Sequence, residues 1–145
     1  VRMVEADAKS QHAIIRTRVS PALTVSLLDT SQMIQALLNL LLNSLQAIET
    51  GGSIDIGAAP DSSGTRLDIW VEDDGPGISE EQKETIFDPF VTSREKGTGL
   101  GLVIVRKIVD GHRGNILVES PVPGKKQGCR FTMTIPLKQP EMVTT

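Results

Sequence analysis

Residues 53–78 read SIDIGAAPDSSGTRLDIWVEDDGPGI, and they carry most of the information about the architecture. Two segments, 53–59 and 65–72, alternate apolar and polar residues, as strands with one buried face do. The sequence PDSSG between them is typical of a turn. The pattern therefore predicts an antiparallel hairpin. The side chains that we expect to face the core are Ile54, Ile56, Leu67, Ile69 and Val71.

The second predicted strand ends in three carboxylates, Glu72, Asp73 and Asp74, which a glycine-proline-glycine turn follows. Continued alternation turns Asp73 toward the core and its two neighbours outward. An inward carboxylate beside a glycine turn can accept a hydrogen bond from a ligand amino group. A solvated turn is the alternative interpretation of the same residues.

The rest of the chain predicts further strands on both sides of the hairpin, with helices between them. Because the strands come in adjacent pairs, we expect an α+β fold, a two-layer α/β sandwich. Its sheet would be mixed but mainly antiparallel, with helices on one face. The expected strands are 14–19, 23–28, 116–120 and 129–137, and the expected helices run from a cap at Asp29 to about Glu49, from an N-cap at Ser79, and over 99–110.

Composition excludes several classes of function. A net charge of −3 leaves no general basic field for a phosphate backbone, and 3% aromatic residues argue against base-stacking platforms, so nucleic acid is not an expected partner. The single Cys129 excludes a disulfide framework, and we expect it to fill the core. The longest apolar run is cut by Asn39 and Asn43 and is too short for a membrane span.

A second glycine-rich segment, residues 97–101 (GTGLG), leads directly into a predicted helix. Unpaired backbone amides and the helix dipole would point at a ligand there, and a phosphate fits such a position. Close packing is the alternative reason for these glycines. The segment is not a Walker A loop, a dinucleotide fingerprint or a protein-kinase glycine loop, because the residues around it do not match those motifs.

The predicted helix over 29–49 contains LLNLLLNSL at residues 37–45. Asn39 and Asn43 lie four residues apart and share one helix face with Gln35. This polar stripe is either the solvent side of an amphipathic helix or a ligand site. In the second case a carboxamide oxygen would suit Mg²⁺, which keeps water and phosphate oxygens as most of its shell.

Five segments, in this order and spacing, resemble the N, G1, F and G2 boxes and the terminal strand of sensor histidine kinase ATP-binding domains. This family belongs to the GHKL superfamily with the Bergerat fold, and the resemblance covers about residues 3–137. The segments are NLLLNSLQA, DDGPGI, FDPFVTS, GTGLGLVIVRKIVDGHRG and GCRFTMTIPL.

The resemblance implies ATP and Mg²⁺ as cofactors. Asp73 would receive the adenine amino group, while Asp74 would fill a variable position. Asn43 would be the Mg²⁺ ligand that bridges the phosphates, and Asn39 would lie one turn earlier beside them. The other implied residues of the adenine motif are Gly75, Gly77 and Ile78.

The same resemblance assigns a phosphate loop and a lid. Phe87 and Phe90 would anchor the lid, and the basic residues Arg94 and Lys96 could reach the phosphates. Some relatives carry Lys or Arg where this chain has Gln46, which shifts more of the charge neutralisation to Arg94, Lys96, Arg106 and Lys107. The loop and first helical residues that would meet the phosphates are Gly97, Thr98, Gly99, Leu100, Gly101 and Leu102.

The implied reaction transfers the γ-phosphoryl group of ATP to a histidine of a separate dimerisation/histidine-phosphotransfer domain of the same protein, with a response regulator downstream. Neither His12 nor His112 lies in an acceptor motif, and the chain begins at Val1. We therefore expect a catalytic domain, residues 1–137, with a flexible tail, 138–145. The longer protein would be a homodimer anchored in the inner membrane, with this domain cytoplasmic and away from the lipid.

Three other functions remain open on the same resemblance. One is an ATP hydrolase of the superfamily, in which a Glu general base would stand where this chain has the neutral Asn39. Another is a protein serine kinase of the anti-sigma type, which would need no histidine domain. The third is a nucleotide sensor that has lost phosphotransfer.

Overall fold

A computed structural model describes residues 14–19, 30–48, 52–88 and 101–136 of the 145. The described residues form five strands and three helices in an α+β arrangement. In chain order these are β1 (Ile14–Val19), α1 (Thr30–Ala47), β2 (Ser53–Pro60), β3 (Arg66–Asp73), α2 (Glu80–Thr85), α3 (Gly101–Gly111), β4 (Asn115–Glu119) and β5 (Cys129–Pro136).

The strands form one mixed sheet in the order β1-β2-β3-β5-β4, with β3 at its centre. β1 runs parallel to β2, and every other neighbouring pair is antiparallel. In this register Asp73 lies between Ile54 of β2 and Cys129 of β5. The predicted carboxylate, Asp73, therefore lies at the end of the central strand, between its two neighbouring strands.

The core lies between the sheet and the helices α1 and α3. Alternate residues of β5 are buried, and Phe131 joins the same apolar cluster as Leu40 and Leu41 of α1 and Val105 of α3. Cys129 is buried in this cluster, as predicted. The predicted mixed, mainly antiparallel sheet with helices is confirmed.

The predicted hairpin is confirmed, with β2 and β3 joined by a turn at residues 61–65. Of its predicted core residues, Ile54, Leu67 and Val71 are buried, and Ile56 and Ile69 pack against the core while partly buried. The alternation of apolar and polar residues therefore predicted the buried face of the sheet correctly.

The other predicted elements agree within the described residues. Helix α2 begins after Ser79, as predicted: the Ser79 hydroxyl accepts a hydrogen bond from the Gln82 amide, and the Gln82 side chain accepts one from the Ser79 amide. The predicted strand 23–28, the cap at Asp29 and the tail 138–145 lie outside the described residues. Within the described parts of the chain, no helix is both long enough and apolar enough to cross a membrane.

We expect Leu41→Ala to lower the free energy of unfolding by about 2–5 kcal/mol, because the fully buried Leu41 side chain would leave a cavity. Leu117→Ala is the matched control, since Leu117 in β4 is 57% exposed, and its effect should stay within about 0.5 kcal/mol. Urea unfolding of both variants measures the difference. Equal losses would contradict the assignment of the core.

Candidate nucleotide site

The predicted site centres on Asp73, the last residue of β3, whose side chain is turned inward and whose residue is only 3% exposed. Its Oδ1 atom accepts a hydrogen bond of 2.9 Å from the Gly75 amide. The inward orientation predicted by alternation is therefore what the structure shows. A carboxylate in this position needs hydrogen-bond donors, because an ionised group out of water is costly without them.

Gly75 lies where the end of helix α1 meets this turn. A Cβ atom at position 75 would lie 2.9 Å from the carbonyl oxygen of Ala47 and 3.1 Å from Asp73 Oδ1, which is too close for an ordinary contact. The absence of a side chain lets α1, the turn and the carboxylate approach one another.

Gly77 has φ of +82°, a left-handed conformation that residues with side chains adopt rarely. A Cβ atom there would also collide with the hydroxyl of Ser120. That hydroxyl accepts a hydrogen bond of 2.9 Å from the Ile78 amide and donates one of 2.6 Å to the Gly128 carbonyl. Ser120 is thus part of the site, although no motif in the sequence singled it out.

Glu72 corrects part of the sequence interpretation. It does point to the sheet face opposite Asp73, but it is buried rather than solvated, at 6% exposure. Arg130 donates to its Oε1 atom from Nε at 2.8 Å and from Nη2 at 2.7 Å, and Lys125 donates to Oε2 at 2.8 Å. Alternation predicts the sheet face on which a side chain lies, but not which residues from other parts of the chain cover it.

This ion cluster shifts two pKa values. Burial acts to raise the pKa of Glu72, but the hydrogen bonds from Lys125 and Arg130, with their charges, outweigh it and hold that pKa below its usual range. The hydrogen bond and charge of Glu72 raise the pKa of Lys125 above its usual range. Both groups are therefore charged at neutral pH.

Asp74 is exposed, in agreement with its predicted outward orientation. Its two carboxylate oxygens accept hydrogen bonds from the Ser53 amide, at 2.9 Å, and from the Ser53 hydroxyl, at 3.1 Å. These bonds join the start of β2 to the end of β3. The structure therefore gives Asp74 a local role in joining the two strands.

The two asparagines of α1 lie on one helix face, and both are partly buried, while Gln35 and Gln46 on the same stripe are exposed. The stripe is therefore not simply a solvent face. The amide Nδ2 of Asn39 is buried and has no hydrogen-bond partner within 14–19, 30–48, 52–88 and 101–136. A buried donor of this kind is available to an acceptor such as a phosphate oxygen.

Phe87, the predicted lid anchor, packs against the core. Its ring meets Phe131 edge-on at 6.2 Å between centroids, and the guanidinium of Arg106 lies 5.8 Å from the Phe87 ring centre. Arg106 also approaches Asp110 at 4.0 Å. The structure thus places Arg106 against Phe87, and the exposed Lys107 follows it on α3.

The structure describes only some of the predicted site residues. Gly101 and Leu102 open α3, and Leu102 packs against the core. The predicted residues outside the described parts of the chain are Phe90, Arg94, Lys96, Gly97, Thr98, Gly99 and Leu100. The described residues thus include Asp73, the glycine turn after it and the two asparagines of α1.

Two further features bear on the chemistry. His112 is buried, and its Nδ1 atom lies 2.8 Å from the Ile108 carbonyl oxygen at the end of α3. Among the described residues no group of three or more His, Cys, Asp or Glu side chains could hold a metal ion.

The fold and this carboxylate-glycine site define the class of GHKL nucleotide-binding domains. The comparison with family models makes the assignment specific: residues 28–139 match the model described as histidine kinase-, DNA gyrase B- and HSP90-like ATPase. The chain belongs to this family of ATP-binding domains. The family predicted from the five sequence segments is confirmed.

Known proteins agree with this assignment. Sensor histidine kinase ZraS of Escherichia coli O157:H7 is 39% identical over 137 residues, which cover 94% of this chain and 29% of ZraS. The catalytic domain of histidine kinase ThkA matches with a TM-score of 0.79 and 34% identity, over 94% of this chain and 88% of that one. ThkA in complex with the response regulator protein TrrA matches with a TM-score of 0.78 and 30% identity, over 97% and 39%. The chain spans well under half the length of the curated relatives.

The Glu72 cluster gives a pH-dependent prediction. Glu72→Gln should lower the free energy of unfolding by about 1–3 kcal/mol at neutral pH, because it removes charge-assisted hydrogen bonds. Since the folded-state pKa of Glu72 is lowered, this stabilisation is complete well above pH 4.5, the ordinary value, and disappears as the pH falls through the folded-state value.

Urea unfolding of the wild type and Glu72→Gln across this pH range measures the difference. Glu81→Gln, at an exposed position of α2, serves as the control and should change stability little at any pH. A difference between wild type and Glu72→Gln that stays constant into acid would show that the charge of Glu72 is not its source.

Proposed function

We propose that this domain binds Mg-ATP and donates the γ-phosphoryl group to a histidine on a separate dimerisation/histidine-phosphotransfer domain. The observation that carries the proposal is the buried Asp73 carboxylate, bonded to the Gly75 amide, in a chain whose family binds ATP. The relatives named sensor histidine kinases support the reaction class.

The adenine end of the proposed site is the part that the described residues fit. Asp73 offers an acceptor to the 6-amino group. The hydrogen bond from the Gly75 amide to Oδ1 keeps the carboxylate in one orientation. Gly75 lets the end of α1 and the Asp73 carboxylate approach the same turn closely. The 6-amino group can donate a hydrogen bond to this buried carboxylate, whereas a purine without that group cannot.

The phosphate end of the proposed site lies along α1. The unpartnered Nδ2 of Asn39 would donate to a phosphate oxygen, and the carboxamide oxygen of Asn43, one turn closer to Gly75, would bind Mg²⁺. The bound ion supplies neutralisation of the phosphate charges. The proposed further ligands are Arg94, Lys96 and the loop and helix start from Gly97 to Leu102.

Phosphoryl transfer in such a site is mostly positioning and charge neutralisation, with the histidine nitrogen supplied by another domain. Hydrolysis would instead need a base to activate water, and the position expected for one holds Asn39. A neutral carboxamide does not accept the proton of a water molecule. The site therefore favours phosphotransfer over hydrolysis.

The wider assembly forms part of this proposal. Residues 1–137 would be the catalytic domain and 138–145 a tail, within a homodimeric protein anchored in the inner membrane. The domain itself would be cytoplasmic. A response regulator would take the phosphoryl group onward, in keeping with the complex formed by ThkA.

Labelled ATP tests the reaction. When the domain is mixed with Mg-ATP labelled at the γ position and a histidine-phosphotransfer domain from a sensor kinase, we expect acid-labile, base-stable label on the partner. Asn43→Ala should lower the transfer rate about 10-fold or more, because a lost ligand for the charged transition state typically costs at least that much. The assay without the partner domain is the control for hydrolysis.

Two results would contradict the proposal. Rapid phosphate release by the domain alone would identify a hydrolase. Acid-stable label on a serine of a partner protein, with none on histidine, would identify a serine kinase. Glu81→Gln, at an exposed position of α2 outside the proposed site residues, should transfer at the wild-type rate and controls for general effects of substitution.

A further inference from the structure

We infer that Ser120 is a positioning residue for base selection, which holds the Asp73 carboxylate in the place where it reads the adenine amino group. This inference rests on the proposed function and extends it to a residue outside the family's sequence motifs. Ser120 follows β4 and lies 42 residues from the turn that it contacts. It is buried, at 6% exposure.

The Ser120 hydroxyl uses both of its hydrogen-bonding roles on backbone atoms. It accepts from the Ile78 amide at 2.9 Å, which fixes the exit of the glycine turn. It donates to the Gly128 carbonyl at 2.6 Å, which fixes the residue before Cys129. Because Cys129 is the register partner of Asp73, one hydroxyl links the exit of the turn to the strand beside the carboxylate.

The β4–β5 connection, residues 120–128, contacts the same motif at two more points. Lys125 donates to Glu72, immediately before Asp73, and Gln127 donates through Nε2 to the Asp74 carbonyl at 3.0 Å. The connection therefore holds residues on both sides of Asp73. Ser120 is the buried member of this set, while Lys125 and Gln127 are exposed.

Removal of the hydroxyl would affect the turn specifically. In Ser120→Ala the Ile78 amide and the Gly128 carbonyl each lose a partner that a methyl group cannot replace, and the bond to Gly128 is buried. The turn would relax relative to β5 and carry Asp73 with it. Selection by a hydrogen bond depends on sub-ångström placement, so the amino group would be recognised less well.

The experiment compares two ligands that differ only in the 6-amino group: Mg-ATP and the magnesium complex of purine riboside triphosphate. Calorimetry on the full chain gives both dissociation constants for wild type and Ser120→Ala. We expect Ser120→Ala to raise the dissociation constant for Mg-ATP about 10-fold, the equivalent of one net buried hydrogen bond. The dissociation constant for the analogue should rise less than about 3-fold. The preference for ATP would fall accordingly.

Ser63→Ala is the matched control, since Ser63 lies in the β2–β3 turn and bonds to Asp61 there. Its preference for ATP should equal that of the wild type. Ser120→Cys keeps the size of the side chain with weaker hydrogen bonds, and it decides the outcome if Ser120→Ala does not unfold cooperatively. We expect its preference to lie between those of wild type and Ser120→Ala.

The possible failures are distinguishable. If a folded Ser120 variant keeps the wild-type preference, or weakens both ligands by the same factor, Ser120 is a structural residue and the inference is wrong while ATP binding stands. If the wild type binds both ligands equally, the adenine role of Asp73 fails and the inference fails with it.

Discussion

The burial of the Asp73 carboxylate at the end of the central strand is the constraint on which the site depends. A buried acid is stable only with donors placed around it, and here the Gly75 amide is one of them. That bond requires a sharp turn directly after β3. The end of α1 can pack against this turn only because Gly75 has no side chain. Helix, strand and turn thus converge at Gly75.

The two faces of β3 place adjacent acids in different environments. On one face Asp73 is buried beside Cys129 of the core and belongs to the proposed base site. On the other face Glu72 is neutralised by Arg130 and Lys125, which stabilises the register of β3 with β5. Adjacent acids in the sequence therefore have opposite roles, because each faces a different environment. The ion cluster therefore stabilises β3 from the sheet face opposite Asp73.

Much of this could be predicted from local patterns. Alternation gave the hairpin and the inward orientation of Asp73, because a strand with one buried face has a period of two. The burial of Glu72 could not be read in this way, since its partners come from 53 and 58 residues away. Ser120 was missed for the same reason: it was expected only as the last residue of the strand 116–120, and only tertiary structure brings its hydroxyl to the Ile78 amide. Local sequence predicts faces and turns, but not contacts between distant strands.

The most direct measurement of the central claim compares two adjacent acids by calorimetry with Mg-ATP. Asp73→Asn keeps the shape of the side chain but weakens the acceptor, and we expect the dissociation constant to rise roughly 10- to 100-fold, the equivalent of one charge-assisted hydrogen bond. Asp74→Asn should stay within about 3-fold of the wild type, because Asp74 is exposed and bonds to Ser53. Unchanged affinity in Asp73→Asn, or an equal loss in both variants, would contradict the account.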